Sequence, residues 1–297
     1  MPSIASRLMP PLLALRGSKR TFASAAATLD RIAELQIHPQ QYSPPRRLIR
    51  NLDISVSHEA GWPVYRVAPA GRTPTRHAVY THGGAWLNQI DPRHWHLIAQ
   101  IVKRTSASVT VPIYPLLPLG SAGQVVPGVA DLVTRLIDQY GAERVTVMGD
   151  SAGGQITLST VLLLRRRGVP SPKCTILISP ALDLTFTDPE IGRIEPHDPF
   201  LSVPGPRAAA KLWAAELPIE HMLVSPLFSD LSGLGKIVLF SGTRDCVHPD
   251  SRRLATNALH AGVDLDYHEA AQMFHDYPLM PIPEGRQATR AILNALA

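Results

Sequence analysis

The residue types that acyl-transfer chemistry needs fall in a few short stretches. The most distinctive is Val145 to Gly154, V-T-V-M-G-D-S-A-G-G. Its Gly149, Ser151 and Gly153 make G-x-S-x-G, after an apolar β-branched run and before a long apolar segment, Gln155 to Leu164. Strand, tight turn and helix form the setting of a nucleophile elbow. The turn holds its serine in a strained conformation, so the residues two before and two after must be very small. A helix beginning at Ser151 would also aim its N-terminal N–H groups at the reacting centre.

A serine hydroxyl is a weak nucleophile and needs a base within hydrogen-bond reach, usually a histidine oriented by a carboxylate. In elbow hydrolases the acid follows the serine and the histidine follows the acid. Twelve histidines are available, and His275, in M-F-H-D, satisfies that order together with Asp245, in S-G-T-R-D. Both come shortly after expected strands. Among the competing acids, Asp183 comes early, Asp250 suits a helix cap, and Asp264 and Asp266 alternate within a strand. Asp276 adjoins His275 too closely to pair with it easily. His268, the main rival base, lies inside the last expected strand.

His82-Gly83-Gly84 follows another strand, where an H-G-G-G-type loop supplies an oxyanion hole. A tetrahedral intermediate needs backbone N–H donors aimed at its oxyanion. The expected donors are the N–H groups of Gly83, Gly84 and Ala152. Trp86, after the loop, reads equally as a wall of the substrate pocket or as core, and Asp150, beside the nucleophile, is an expected side chain of that pocket. His94-Trp95-His96 does not read as a metal site, because positions i and i+2 of a helix diverge and no acid or cysteine completes a ligand set. No metal and no cofactor are expected.

These residues need elements that converge on one edge of a sheet. Residues 53–56 and 64–67 read as a hairpin turning at Gly61. Strands are then expected at 77–81, 108–113, 144–149, 174–178, 236–240 and 263–268, and helices at about 91–105, 124–140, 155–164, 250–261 and 283–297. Asp91-Pro92 is a helix start by type. Alternating strands and helices from residue 77 onward call for an α/β fold, with a mostly parallel central sheet and helices on both faces. Sites in such folds form beyond the carboxyl ends of the strands. Residues 183–217 break the rhythm and read as an insertion on top of the sheet, with one helical piece near 207–216.

The 297 residues are 45% hydrophobic and 18% charged, an ordinary globular composition. The net charge of +5 is scattered, and the densest cluster, Arg165-Arg166-Arg167, ends a helix, where basic residues complement the dipole. Nucleic-acid binding is therefore not expected. The two cysteines, Cys174 and Cys246, have no metal or disulfide spacing, which fits a reducing, cytoplasmic setting. No apolar run reaches membrane-spanning length. The N-terminal segment carries Arg7, Arg16, Lys19 and Arg20 with no acid before Asp30, as transit peptides do. Pro10-Pro11 breaks its apolar stretch, and it is read as a helical part of the fold.

With these residues placed, the chain resembles the hormone-sensitive-lipase-like α/β-hydrolases, the family IV carboxylesterases. The resemblance rests on H-G-G-A-W at 82–86, V-P-I-Y-P at 111–115, G-D-S-A-G-G at 149–154, D-P at 198–199, S-P-L at 225–227, G-T-R-D at 242–245 and F-H at 274–275. It implies a serine esterase on one α/β-hydrolase domain, residues 1–297. About 1–48 and 183–218 would form a helical cap, and about 49–182 and 219–297 the catalytic core. The expected substrates are small, uncharged, fairly apolar esters with short acyl chains, and a homodimer is common in that family. Specialised metabolite deacetylases and lactonases would share the same triad. A non-catalytic receptor on this fold is disfavoured by the presence of His275. Two departures stand out: Ala85 replaces the usual third glycine, and Cys246-Val247-His248 follows Asp245.

Overall fold

The structure is a computed structural model that describes residues 2–15 and 17–297; Arg16, counted above among the basic N-terminal residues, lies outside the described residues. Among the described residues, eight strands form one sheet: β1 (Leu52–Glu59), β2 (Trp62–Pro69), β3 (His77–Thr81), β4 (Ser108–Pro112), β5 (Val145–Asp150), β6 (Cys174–Ile178), β7 (Lys236–Gly242) and β8 (Leu265–Ala270). Their spatial order is β1-β2-β4-β3-β5-β6-β7-β8. β1 and β2 pair antiparallel, as do β2 and β4, and the remaining pairs are parallel. The expected hairpin and all six later strands are present, with ends moved by a few residues. Every residue of β3, β4, β5 and β6 is buried, as the interior of a parallel sheet covered on both faces requires.

The helices are α1 (Ile4–Leu15), α2 (Ala25–Ile37), α3 (Pro92–Thr105), α4 (Ala122–Tyr140), α5 (Ser151–Arg166), α6 (Ile191–Ile194), α7 (Pro204–Ala214), α8 (His248–His260) and α9 (Pro283–Leu296). One sheet face buries a core with α4, α5, α7 and α8, which includes Val129, Ile156, Trp213 and Leu254. The other buries a core with α3 and α9, which includes Ile98, Ile101, Ile292 and Phe274. Local chemistry explains the key helix starts. The Asp91 side chain accepts from the Arg93 N–H at 2.7 Å, and the Asp91 N–H donates to His94 Nδ1 at 2.9 Å, a reciprocal cap that aims α3 at the sheet edge.

The N-terminal segment divides in a way that composition did not foretell. α1 continues through Pro10 and Pro11 and lies beside α9, where Ser3 and Ser6 hydrogen-bond the Glu284 carboxylate. α2 instead packs on α7 of the insertion. A proline costs little in the first turn of a helix but much in its interior. Leu13, buried at the sheet's α9 face, shows what holds α1 in place. So the two halves of residues 1–48 serve different parts of the fold.

The elbow depends on close backbone packing between β3 and α5. A Cβ on Gly153 would lie 2.0 Å from the Thr81 carbonyl oxygen and 2.5 Å from that of His82. Neither backbone atom can swing aside. Gly153→Ala should therefore lower unfolding free energy by about 3 kcal/mol, the upper end for overpacking, read as a fall in the urea midpoint. An unchanged midpoint would show that α5 does not pack on β3 this closely.

Candidate active site

Ser151 stands at the junction of β5 and α5 with φ of 51°, in the left-handed region that non-glycine residues rarely occupy. Its two glycine neighbours make that turn possible. A Cβ on Gly149 would meet the Gly153 carbonyl oxygen at 2.4 Å. The strain projects Ser151 Oγ off the end of the sheet to 2.8 Å from His275 Nε2. His275 follows β8, and its Nδ1 lies 2.9 Å and 3.0 Å from the two carboxylate oxygens of Asp245, after β7. When the ring is neutral, this geometry selects the tautomer in which Nδ1–H donates to Asp245, leaving Nε2 to accept from Ser151. Asp245 is fully buried and also accepts the Val247 N–H at 3.0 Å.

The surroundings favour a charged ring at His275. Burial opposes the charge, but Asp245, Asp276 and Asp198 outweigh it, and its pKa rises well above the ordinary 6.5, to about 10. Asp276 is the unexpected participant. Sequence adjacency suggested that it could not reach His275, yet Oδ2 lies 3.4 Å from Nε2. A left-handed backbone at Asp276, φ 53°, folds its side chain back toward the ring. Burial pushes the Asp276 carboxyl up to about 7, with Asp150 and Asp245 adding to the rise and His275 opposing it.

The oxyanion loop differs from expectation at one donor. The Gly83 N–H is not free: it donates to Asp150 Oδ2 at 3.0 Å. Gly84, with φ 115°, and Ala85, with φ 54°, turn the loop back, and neither N–H has an acceptor among the described residues. Ala152 lies in the first turn of α5, where N–H groups have no intrahelical partner. The unengaged donors beside Ser151 are thus those of Gly84, Ala85 and Ala152. Gly83 contributes closeness instead, since a Cβ there would be 2.2 Å from Asp150 Oδ2 and 3.0 Å from Ser151 Cβ.

Asp150 and Trp86 also take other places than the pocket wall. Asp150 is fully buried beneath the loop. Besides the Gly83 N–H, it accepts from the Tyr80 hydroxyl and meets His94 Nε2 at 3.2 Å. His94 meets Asp91 as well. Burial opposes its charge, but Asp150 and Asp91 raise its pKa to about 10. His82 is equally buried, with Nδ1 2.7 Å from the Gly83 carbonyl oxygen and its ring stacked on Tyr114 at 4.5 Å. Burial lowers its pKa to about 4, so it is neutral. Trp86 is buried as core: it stacks on Trp213 of α7, and both indole N–H groups donate to Gln155 Oε1, at 3.2 Å and 2.9 Å.

Gln155 and Trp213 were not singled out from sequence, because glutamine in an apolar helix and tryptophan in an insertion carry no motif. Asp198 was noted only within D-P. Its Oδ2 accepts the Cys246 N–H at 2.9 Å, tying the insertion to the turn that carries Asp245. Burial, with Asp245 nearby, raises its pKa. His94 and His96 diverge as expected: the first is buried in the Asp150 network, the second exposed.

The comparisons agree with this architecture. A family described as the alpha/beta hydrolase fold matches residues 78–279. A triacylglycerol lipase of Mycobacterium tuberculosis is 31% identical over 277 residues, covering 91% of this chain and 59% of its own length. The chain thus spans about three-fifths of that relative. An acetyl-hydrolase of Streptomyces hygroscopicus is 30% identical over 241 residues, covering 79% of this chain and 78% of its own. The crystal structure of a hormone-sensitive-lipase homologue, EstE7, from a metagenome library superposes with TM-score 0.82 at 22% identity, covering 100% of this chain and 98% of that one, a likeness of fold. The chain belongs to the α/β-hydrolase family.

Proposed function

We propose that the chain is a serine carboxylesterase that hydrolyses small, apolar, short-acyl esters through an acyl-enzyme intermediate. The observation that carries this reading is the continuous chain from Ser151 Oγ to His275 Nε2 at 2.8 Å and from Nδ1 to Asp245 at 2.9 Å. Ser151 attacks the ester carbonyl as Nε2 takes its proton. Asp245 stabilises the imidazolium so formed. The N–H groups of Gly84, Ala85 and Ala152 hold the oxyanion. The imidazolium then protonates the departing alcohol. Water activated by the neutral ring releases the acid in the second half. Groups of this chain suffice for each step, so no cofactor enters.

α2 and α7, clamped to the core by Gln155 and Trp213, form the cap in this reading, while α1 belongs to the core. The short-acyl preference is supported by the acetyl-hydrolase relative. Buried free thiols at Cys174 and Cys246 suit a reducing, cytoplasmic setting. No helix of the described residues is long and apolar enough to cross a membrane.

Two measurements test the proposal. Across p-nitrophenyl esters from two to twelve acyl carbons, turnover should peak at the short end and fall on the order of 10³-fold or more in Ser151→Ala and His275→Ala. Turnover of no ester by folded wild type would overturn the esterase reading. The pH profile tests His275. Its ring must be neutral to accept the serine proton, and its pKa is raised, so kcat/KM should climb along an acid limb centred above pH 6.5. Asp276→Asn removes one of the raising charges and should move that limb to lower pH. A limb that stays in place would mean that Asp276 does not act on the ring.

A further inference from the structure

On the α3–α9 face, a cavity of about 480 Å³ opens beside the segment that follows His275. No residue of the elbow, the oxyanion loop or the Ser151–His275–Asp245 set lines it. Five arginines do: Arg47, Arg93 and Arg104 on one side, with Arg286 and Arg290 on α9. No carboxylate lines it, and only Arg93 has an acidic partner among the described residues, Asp91 at 2.9 Å. Arg286 and Arg290 are four apart on one helix, a like-charge spacing that disfavours the helix unless an anion sits between them.

The floor is apolar. Leu97, Leu279 and Met280 are buried there, flanked by Pro278 and Pro281. Among the described residues the lining has no Phe, Tyr or Trp and no acid to bind sugar hydroxyls, and its one imidazole, His96, is exposed at the mouth and covers none of the floor. An inorganic anion would leave the apolar floor unused, and a neutral chain would leave the arginines unpaired. A carboxylate on an alkyl chain satisfies both, since guanidinium groups pair bidentately with carboxylates and the chain covers the leucine and methionine surface. We propose that this cavity is a second ligand site, apart from Ser151, that takes a free single-chain carboxylate amphiphile. Its head lies among the arginines and its chain on the Leu97–Leu279–Met280 floor.

The test is calorimetric titration of the full chain with dodecanoate below its micellar concentration. Binding of one molecule is expected, at least tenfold tighter than butyrate and than dodecyltrimethylammonium. The double variant Arg286→Glu with Arg290→Glu should weaken it tenfold or more, and Arg104→Glu, on the opposite helix, should do so independently. Circular dichroism melts identify a variant that has lost its fold, so the two substitutions check each other. Raising salt from about 50 to 500 mM should weaken dodecanoate binding, as for an accessible ion pair. Equal affinity in both folded variants, equal affinity for the cationic detergent, or adsorption to phosphatidylglycerol vesicles without binding of monomeric dodecanoate would each overturn the proposal. None of these outcomes bears on ester turnover by Ser151, so the two readings stand or fall separately.

Discussion

Everything at the site depends on one backbone turn. Ser151 is held at φ 51° because β5 must hand over to α5 within a single residue. That turn is tolerable only where Gly149 and Gly153 remove the side chains that would strike α5 and β3. Once it forms, Oγ projects past the end of the sheet, the first N–H groups of α5 lie beside it, and β7 and β8 deliver Asp245 and His275 from the same edge. The parallel sheet is the frame that makes this convergence cheap. The carboxyl ends of β3, β5, β6 and β7 are buried, so a loop leaving each of them starts from a packed point.

A second constraint lies directly below. Asp150, next in sequence to the nucleophile, is buried with its carboxylate shared among Tyr80, His94 and the Gly83 N–H. A buried carboxylate is tolerable only when paired and hydrogen-bonded, and removing one partner of such a group is expensive. The pairing therefore locks the oxyanion loop to the elbow. It also puts negative charge behind the site. Asp245, Asp276 and Asp198 together favour the imidazolium over the neutral imidazole at His275, and Asp150 raises the Asp276 carboxyl. The surroundings of His275 thus favour the imidazolium that the proposed reaction forms over the neutral ring.

Much of this was legible in the sequence, for physical reasons. Period and punctuation located all eight strands, because parallel strands are continuous apolar runs bounded by turns. Chain order and positions just after strands singled out Ser151, Asp245 and His275 as a candidate triad, and the structure brings them into one hydrogen-bonded chain. What stayed hidden depends on tertiary geometry. That the Gly83 N–H is spent on Asp150 follows from a contact between two loops 67 residues apart. That Asp150 and Trp86 are buried supports, and not pocket walls, follows from what packs over them. The reach of Asp276 to its neighbour's ring needs a left-handed residue that no motif announces. The proline pair in α1 pointed away from a continuous helix, and only burial against the α9 face of the sheet overrides it.

The central claim is that Ser151 is made nucleophilic by His275. The most direct test is mass spectrometry of the folded protein after treatment with a p-nitrophenyl alkylphosphonate, which traps an activated serine as a stable tetrahedral adduct. The account predicts one adduct per chain, on the peptide that carries Ser151, forming at a rate that falls on the order of 10³-fold in His275→Ala. An adduct on another residue, or equal labelling of Ser151 with and without His275, would contradict it.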